Sequence, residues 1–253
     1  MTKLTPALAL AAALLVAACG SDTPEPPSTE GTTRALLGGP SVQAGPATEV
    51  RLDSSLVGRA NLRDIPVLGH NFGSVDAPLK LMEFSDYGCG YCRRFHEETF
   101  PTLRAEFVDT EMIEWKFIPF ITGNFPGSLA VTEAAECTLE QDPAKFEALS
   151  EVLWDRQQEW KASDEPEAVV RGWAAELDVD LPELDSCLAE DRRMPRIRAH
   201  TALAQTIGVR GTPTFWIVGF GPLQGALPTP LFREILSAVH QQKMAAEPPA
   251  PAR

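Results

Sequence analysis

The sequence predicts an α/β fold: a strand–helix–strand unit, then a long helical insertion, then a strand–strand–helix segment that completes the first unit. Three observations carry this prediction. A Cys89-Gly90-Tyr91-Cys92 turn stands between an apolar run and a helical pattern, and a Thr212-Pro213 pair stands directly before a second apolar run. Between them, residues 126–207 repeat their apolar positions three and four apart, with no alternating stretch.

The elements follow in order. Leu79, Leu81, Met82 and Phe84, interrupted only by Lys80 and Glu83, read as a largely buried strand over 79–85, and Asp86, Tyr87 and Gly88 supply turn chemistry after it. From Gly90 onward Phe95, Thr99, Leu103 and Phe107 recur at about the helical spacing, so Cys89 falls at the N-terminus of a helix. Residues 112–118 alternate and predict a second strand, which closes a βαβ unit with the CxxC at its first turn. Pro213 cannot donate to a ladder, so it belongs just before the strand that starts at Thr214, and a cis Thr212–Pro213 bond fits there. After the turn Gly219-Phe220-Gly221, residues 223–226 predict a last short strand and residues 230–240 a closing helix.

The N-terminal region has a different character. Lys3 and an apolar run over residues 7–18, made of Ala, Leu and Val, read as a signal peptide spanning 1–18; the run falls short of the roughly 20 apolar residues of a membrane span. Its end, Leu15-Val16-Ala17-Ala18-Cys19, resembles a bacterial lipobox, which makes Cys19 the expected lipidated residue. The alternative is ordinary cleavage, with Cys19 incidental or kept as a free thiol. Residues 19–47 are rich in Pro, Gly, Ser and Thr and read as a flexible tether, because they cannot bury enough surface to offset chain entropy. Residues 244–253 read as a short frayed tail. The expected layout is a core whose first part spans 48–125, the helical insertion 126–207, and a second core part 208–243. A formal net charge of −13 with scattered basic residues argues against a nucleic-acid partner, since phosphate contacts need a Lys/Arg-rich face.

Of the five cysteines, the lipobox accounts for Cys19 and leaves Cys89, Cys92, Cys137 and Cys187, an even number in an oxidising compartment. Cys89 and Cys92 lie one helical turn apart. That favours pairing them with each other and leaves Cys137 with Cys187 as a structural bridge inside the insertion; two buried free thiols are the alternative.

The string Glu83-Phe84-Ser85-Asp86-Tyr87-Gly88-Cys89-Gly90-Tyr91-Cys92, with Phe95-His96, a helical insertion and Gly211-Thr212-Pro213-Thr214-Phe215, resembles the DsbA-like branch of the thioredoxin superfamily. The resemblance covers residues 69–240. It implies a thioredoxin-like fold with a helical insertion domain, in which Thr212 and Pro213 face the CxxC. One departure concerns the dipeptide between the cysteines. DsbA-type oxidases often carry Pro-His there, whereas Gly90-Tyr91 resembles the pair of periplasmic disulfide isomerases. Those isomerases dimerise through a folded N-terminal domain; here that region reads as a tether, so a monomer is expected.

Thiol–disulfide exchange needs a thiolate, because the anion is the attacking species. Cys89 is the expected nucleophile, favoured by the unpaired N–H groups and dipole of the helix N-terminus, with Arg93 or Arg94 as possible contributors. Cys92 is the expected resolving thiol and Glu83 its proton acceptor, matching the family's buried acid; a solvated strand face is the alternative for Glu83. Thr212 and Pro213 would present backbone groups to a substrate strand and keep metal ions from the cysteines. Tyr91 and Phe125 read either as substrate-contact surface or as a turn residue and a core edge. His96 shares a helix face with Cys89 and is expected to pack rather than tune the thiolate. No cofactor is expected, and Cys89, Cys92 and His96 fall one ligand short of a structural zinc site.

The expected function is that of an extracytoplasmic, lipid-anchored dithiol oxidase acting on exported proteins and reoxidised by a quinone-linked membrane oxidase. The alternatives are a reductase or isomerase kept reduced by a membrane thiol reductant, and a redox-inactive lipid-anchored binding module.

Overall fold

Residues 67–246 are described by the computed structural model. The signal segment, Cys19, the tether, the start of the first core part and residues 247–253 lie outside them. Five strands, β1 (His70–Phe72), β2 (Leu79–Ser85), β3 (Ile113–Pro119), β4 (Thr214–Ile217) and β5 (Gly221–Gln224), form one mixed sheet in the order β1-β3-β2-β4-β5. The central strand β2 runs parallel to β3 and antiparallel to β4.

Nine helices accompany the sheet among the described residues: α1 (Gly90–Glu98), α2 (Phe100–Leu103), α3 (Ser128–Gln141), α4 (Pro143–Asp155), α5 (Gln157–Lys161), α6 (Pro166–Glu176), α7 (Leu181–Ala189), α8 (Met194–Thr206) and α9 (Thr229–Ala246). None is long and apolar enough to cross a membrane. Because both faces of the sheet are covered, β2 is nearly continuous in apolar residues rather than alternating. Leu79 and Leu81 join Trp115, Phe117 and Phe215 on one face, packed by Phe95 of α1, Phe100 of α2, Phe146 of α4 and Phe232 of α9. Met82 and Phe84 pack on the other face with Ile118 and with Leu203 and Ala204 of α8. On the first face the rings of Phe95 and Phe215 are 4.6 Å apart and those of Phe215 and Phe232 4.8 Å. Each such buried ring stabilises the fold by about 1.5–3 kcal/mol.

The helix after the CxxC is not the continuous one that its spacing predicts. Pro101 has no N–H to offer the Glu97 carbonyl and its ring crowds that turn, so α1 stops and α2 restarts at Phe100. A π-helical turn over Arg104–Val108 follows, in which Asp109 N reaches Arg104 O at 2.9 Å.

Within the insertion, Asp142 and Asp180 cap α4 and α7 by accepting from Ala144 N and Glu183 N. Cys137 of α3 and Cys187 of α7 are joined by a disulfide, sealed among Ala174, Val179 and Leu184. Buried Glu136, next in sequence, accepts from Arg196 Nε at 2.9 Å and Arg193 Nη2 at 3.1 Å, which ties α3 to the start of α8.

β1 was not expected. It is three residues long and is held by distant partners rather than by its own pattern. Lys116 Nζ donates to Leu68 O at 3.0 Å, Arg196 donates to the carbonyls of Val67 and Gly69, and Gly69 N donates to His200 Nε2 at 2.9 Å. Burial holds the His200 ring neutral, lowering its pKa to about 3, which keeps Nε2 an acceptor. At the other end, α9 runs to Ala246 and so takes in residues 244–246 of the expected tail; no helix breaker precedes Pro248. The last strand is Gly221–Gln224, beginning within the predicted turn.

Candidate active site

After β2 ends at Ser85 the chain turns through Asp86, Tyr87 and Gly88, and Cys89 becomes the N-cap of α1 with extended backbone, φ −79° and ψ 120°. Asp86 organises this turn although it is itself buried. Its carbonyl accepts from Cys89 N at 2.9 Å and its carboxylate from Gly88 N at 3.0 Å. The same carboxylate accepts from Thr122 N and Oγ1, both at 2.9 Å, and from Ser128 Oγ at the start of α3. Gly88 has to be glycine for a steric reason: a Cβ there would lie 2.2 Å from Phe125 Cβ, which packs on the turn.

Both thiols of the CxxC are free, the reduced form of the pair. Cys89 Sγ lies 3.4 Å from the Thr212 carbonyl oxygen, and the Thr212–Pro213 bond is cis, so Thr212 and Cys89 meet across the fold. Hydrogen bonds from the Cys92 thiol first, then from the Thr212 side chain and the N–H groups of Cys92 and Tyr91, outweigh burial and lower the Cys89 thiol to about pKa 6. Cys92 moves the opposite way, pushed well above the ordinary thiol value by burial and then by Cys89. The pair is therefore asymmetric, and Cys89 carries the thiolate at neutral pH. Arg93 and Arg94 are engaged elsewhere, Arg93 with Glu97 at 3.1 Å and Arg94 over the Tyr91 ring at 5.0 Å. Tyr91 is 61% exposed and lines, with Phe125 and Cys89, an open cleft of about 460 Å³.

Glu83 lies in the interior, not on a solvated strand face. Trp115 Nε1 donates to its Oε2 at 2.9 Å, while Ser85 Oγ and His96 Nε2, the latter at 2.7 Å, meet its Oε1. A buried carboxylate without such partners would cost several kcal/mol. His96 packs as expected, stacked on Trp154 at 4.6 Å, and also bonds Glu83, which its helical position alone did not disclose. Ser85 hydrogen-bonds Cys92 as well as Glu83, so a hydroxyl links the Cys92 thiol to the buried acid.

The insertion also reaches the turn. Gln157 Nε2 donates to Tyr87 O at 2.6 Å and to Cys89 O at 3.0 Å, and Lys161 Nζ donates to Gly88 O at 2.7 Å. Both residues read in the sequence as ordinary polar positions of a short helix, and no local signal marks them. Among the described residues, no group of three or more His, Cys, Asp or Glu side chains is placed to hold a metal ion.

Residues 67–220 match the family model described as thioredoxin. The chain belongs to the thioredoxin family. Disulfide bond formation protein D of Bacillus subtilis (strain 168) is 26% identical over 170 residues, covering 65% of this chain and 72% of that protein. Na(+)/H(+) antiporter NhaA 3 of Salinispora tropica is 30% identical over 156 residues, which are 61% of this chain and only 22% of the antiporter. The crystal structure of Wolbachia pipientis alpha-DsbA1 superposes with a TM-score of 0.62 at 17% identity, covering 72% of this chain and 98% of that one. This member of the thioredoxin family is thus DsbA-like in fold, with the helical insertion, and is a thiol:disulfide oxidoreductase.

Proposed function

We propose that this oxidoreductase is a dithiol oxidase that introduces disulfides into exported proteins through Cys89 and Cys92. A client thiolate attacks Cys89 Sγ of the Cys89–Cys92 disulfide, a client–Cys89 mixed disulfide forms, and Cys92 leaves and takes up a proton. A second client thiolate then attacks the client sulfur of that bond, and Cys89 leaves as a thiolate. The client gains one disulfide, and the enzyme keeps the two electrons until a membrane oxidant, quinone-linked in this reading, removes them. Glu83, through Ser85, exchanges the Cys92 proton, and Thr212 and Pro213 present their backbone to the client strand.

The observation that carries the direction is the stabilised Cys89 thiolate, with its thiol lowered to about pKa 6 by the Cys92 thiol and then by Thr212 and backbone donors. At pH 7 such a thiol favours the reduced form by about 1.4 kcal/mol over an ordinary one, about 30 mV toward a stronger oxidant. The signal-like segment and Cys19 support work outside the cytoplasm on a lipid anchor, and the tether-like composition of residues 19–47 supports a monomer. Gly90-Tyr91 favours a second reading, a reductase or isomerase fed by a membrane thiol reductant.

One measurement separates the two: the equilibrium of the Cys89–Cys92 pair with glutathione. A potential above thioredoxin's, which is about −270 mV, is expected. A value near thioredoxin's overturns the oxidase reading in favour of the second.

A further inference from the structure

The turn that carries Cys89 is gripped from two sides, and one of the two is the insertion. A peptide group is planar, with its C=O and N–H pointing in opposite directions, so fixing both fixes the plane. In the Tyr87–Gly88 peptide, Gln157 Nε2 holds the carbonyl at 2.6 Å and the Asp86 carboxylate holds the N–H at 3.0 Å. In the Gly88–Cys89 peptide, Lys161 Nζ holds the carbonyl at 2.7 Å and the Asp86 carbonyl holds the N–H at 2.9 Å. The carbonyl of Cys89 itself accepts from Gln157 at 3.0 Å and, as the first step of the helical ladder, from Arg93 N at 3.1 Å.

Gln157 and Lys161 are one turn apart on α5 and so share a helix face. That face meets three successive carbonyls, those of Tyr87, Gly88 and Cys89. The first two precede α1 and lie outside its ladder. Unheld, they could swing toward Sγ, where a carbonyl oxygen repels a thiolate. Held toward α5, they leave Sγ facing the N–H groups of the first helical turn and the Thr212 side chain.

We infer that Gln157 and Lys161 are positioning residues for the Cys89 nucleophile, so that the helical insertion holds the geometry of the redox turn that the thioredoxin core carries. The inference rests on exchange at Cys89 and not on the direction of electron flow. Its cost to the protein is visible in Gln157, a fully buried amide whose two donor contacts both go to this turn.

The test is the pH profile of Cys89 alkylation by iodoacetamide in the reduced full-length protein, for wild type, Lys161→Met, Lys161→Arg and Gln157→Ala, with melting temperatures alongside. Lys161→Met and Gln157→Ala are each expected to raise the midpoint by about half a unit, which cuts the rate at pH 5.5 about threefold and leaves the rate at pH 10 unchanged. The glutathione equilibrium constant of the pair should shift toward the disulfide in both variants relative to wild type. Lys161→Arg, which keeps charge and donor, should titrate as wild type. Lys161 is exposed, so its two variants carry the test even if Gln157→Ala fails to fold. A Lys161→Met profile that coincides with wild type overturns the inference, whatever happens to the melting temperature. A thioredoxin-like potential in the wild type would instead sink the oxidase reading alone, because the positioning is read from the ratio of variant to wild type.

Discussion

Four cysteines of this chain lie in its interior in two pairs, and burial does not distinguish them: Cys89 is 3% exposed, Cys92 0%, and Cys137 and Cys187 1% each. Their surroundings do. Cys137 and Cys187 are bonded to one another in an apolar cluster with Ala174, Val179 and Leu184. Cys89 has the N–H groups of a helix start, the Thr212 side chain and the neighbouring thiol turned toward it. The comparison teaches that a cysteine's reactivity is set by which groups face the sulfur, and that a nearly dry site serves either role.

The largest effect that would sharpen or break this contrast comes from removing each pair in turn. Cys89→Ser should reduce exchange with glutathione to the uncatalysed level. The double replacement of Cys137 and Cys187 by Ser should leave the exchange rate within about twofold while lowering stability by about 2–5 kcal/mol, read as the urea midpoint. If exchange falls as far as stability does, the two pairs are not independent.

The next effect is on pH dependence. The folded pKa of Cys89 is lowered, from the ordinary 9.0 to about 6, so the thiolate stabilises the reduced protein fully above about pH 9 and that stabilisation is lost as pH falls through about 6. Urea midpoints of the reduced wild type should therefore drop between pH 9 and pH 6 relative to those of Cys89→Ser. Parallel curves would place no special donors at Cys89.

Glu83→Gln should cost about 1–3 kcal/mol, because the amide turns a donor toward groups that now donate to the carboxylate. It should also lengthen the life of a Cys89–glutathione mixed disulfide, which Cys92 resolves only once its proton has left, measured by quenching a single turnover with acid. An unchanged lifetime would remove Glu83 from the proton path and leave it a purely structural anchor. Gly88→Ala acts on stability alone: it must displace Phe125 at its Cβ and should cost about 1–3 kcal/mol while leaving the Cys137–Cys187 bridge intact. Melting temperature measures the first part and thiol counting the second.

What was legible in the sequence is what short-range chemistry decides. The apolar runs of β2 and β3, the helix start at Cys89, the proline before β4 and the three-and-four spacing of the insertion are properties of neighbouring residues. The positions of Cys89, Cys92, Thr212 and Pro213 followed from them. Tertiary partners decided the rest. β1 exists because Lys116, Arg196 and His200 take up the backbone groups around it. His96 meets Glu83, and Gln157 and Lys161 meet the redox turn, only after elements distant in the chain have packed. The break at Pro101 is a different case: its cause was visible in the sequence, and the regular recurrence of apolar residues across it concealed it.

The clasp around residues 67–69 has a mechanical consequence. Whatever pulls on the chain ahead of Val67 pulls first on bonds from Arg196, His200 and Lys116 to the backbone of Val67, Leu68 and Gly69. None of these bonds involves a residue of the CxxC turn. Load entering there passes into α8 and β3, so the fold would yield at Val67–Gly69 before the CxxC turn bore the strain.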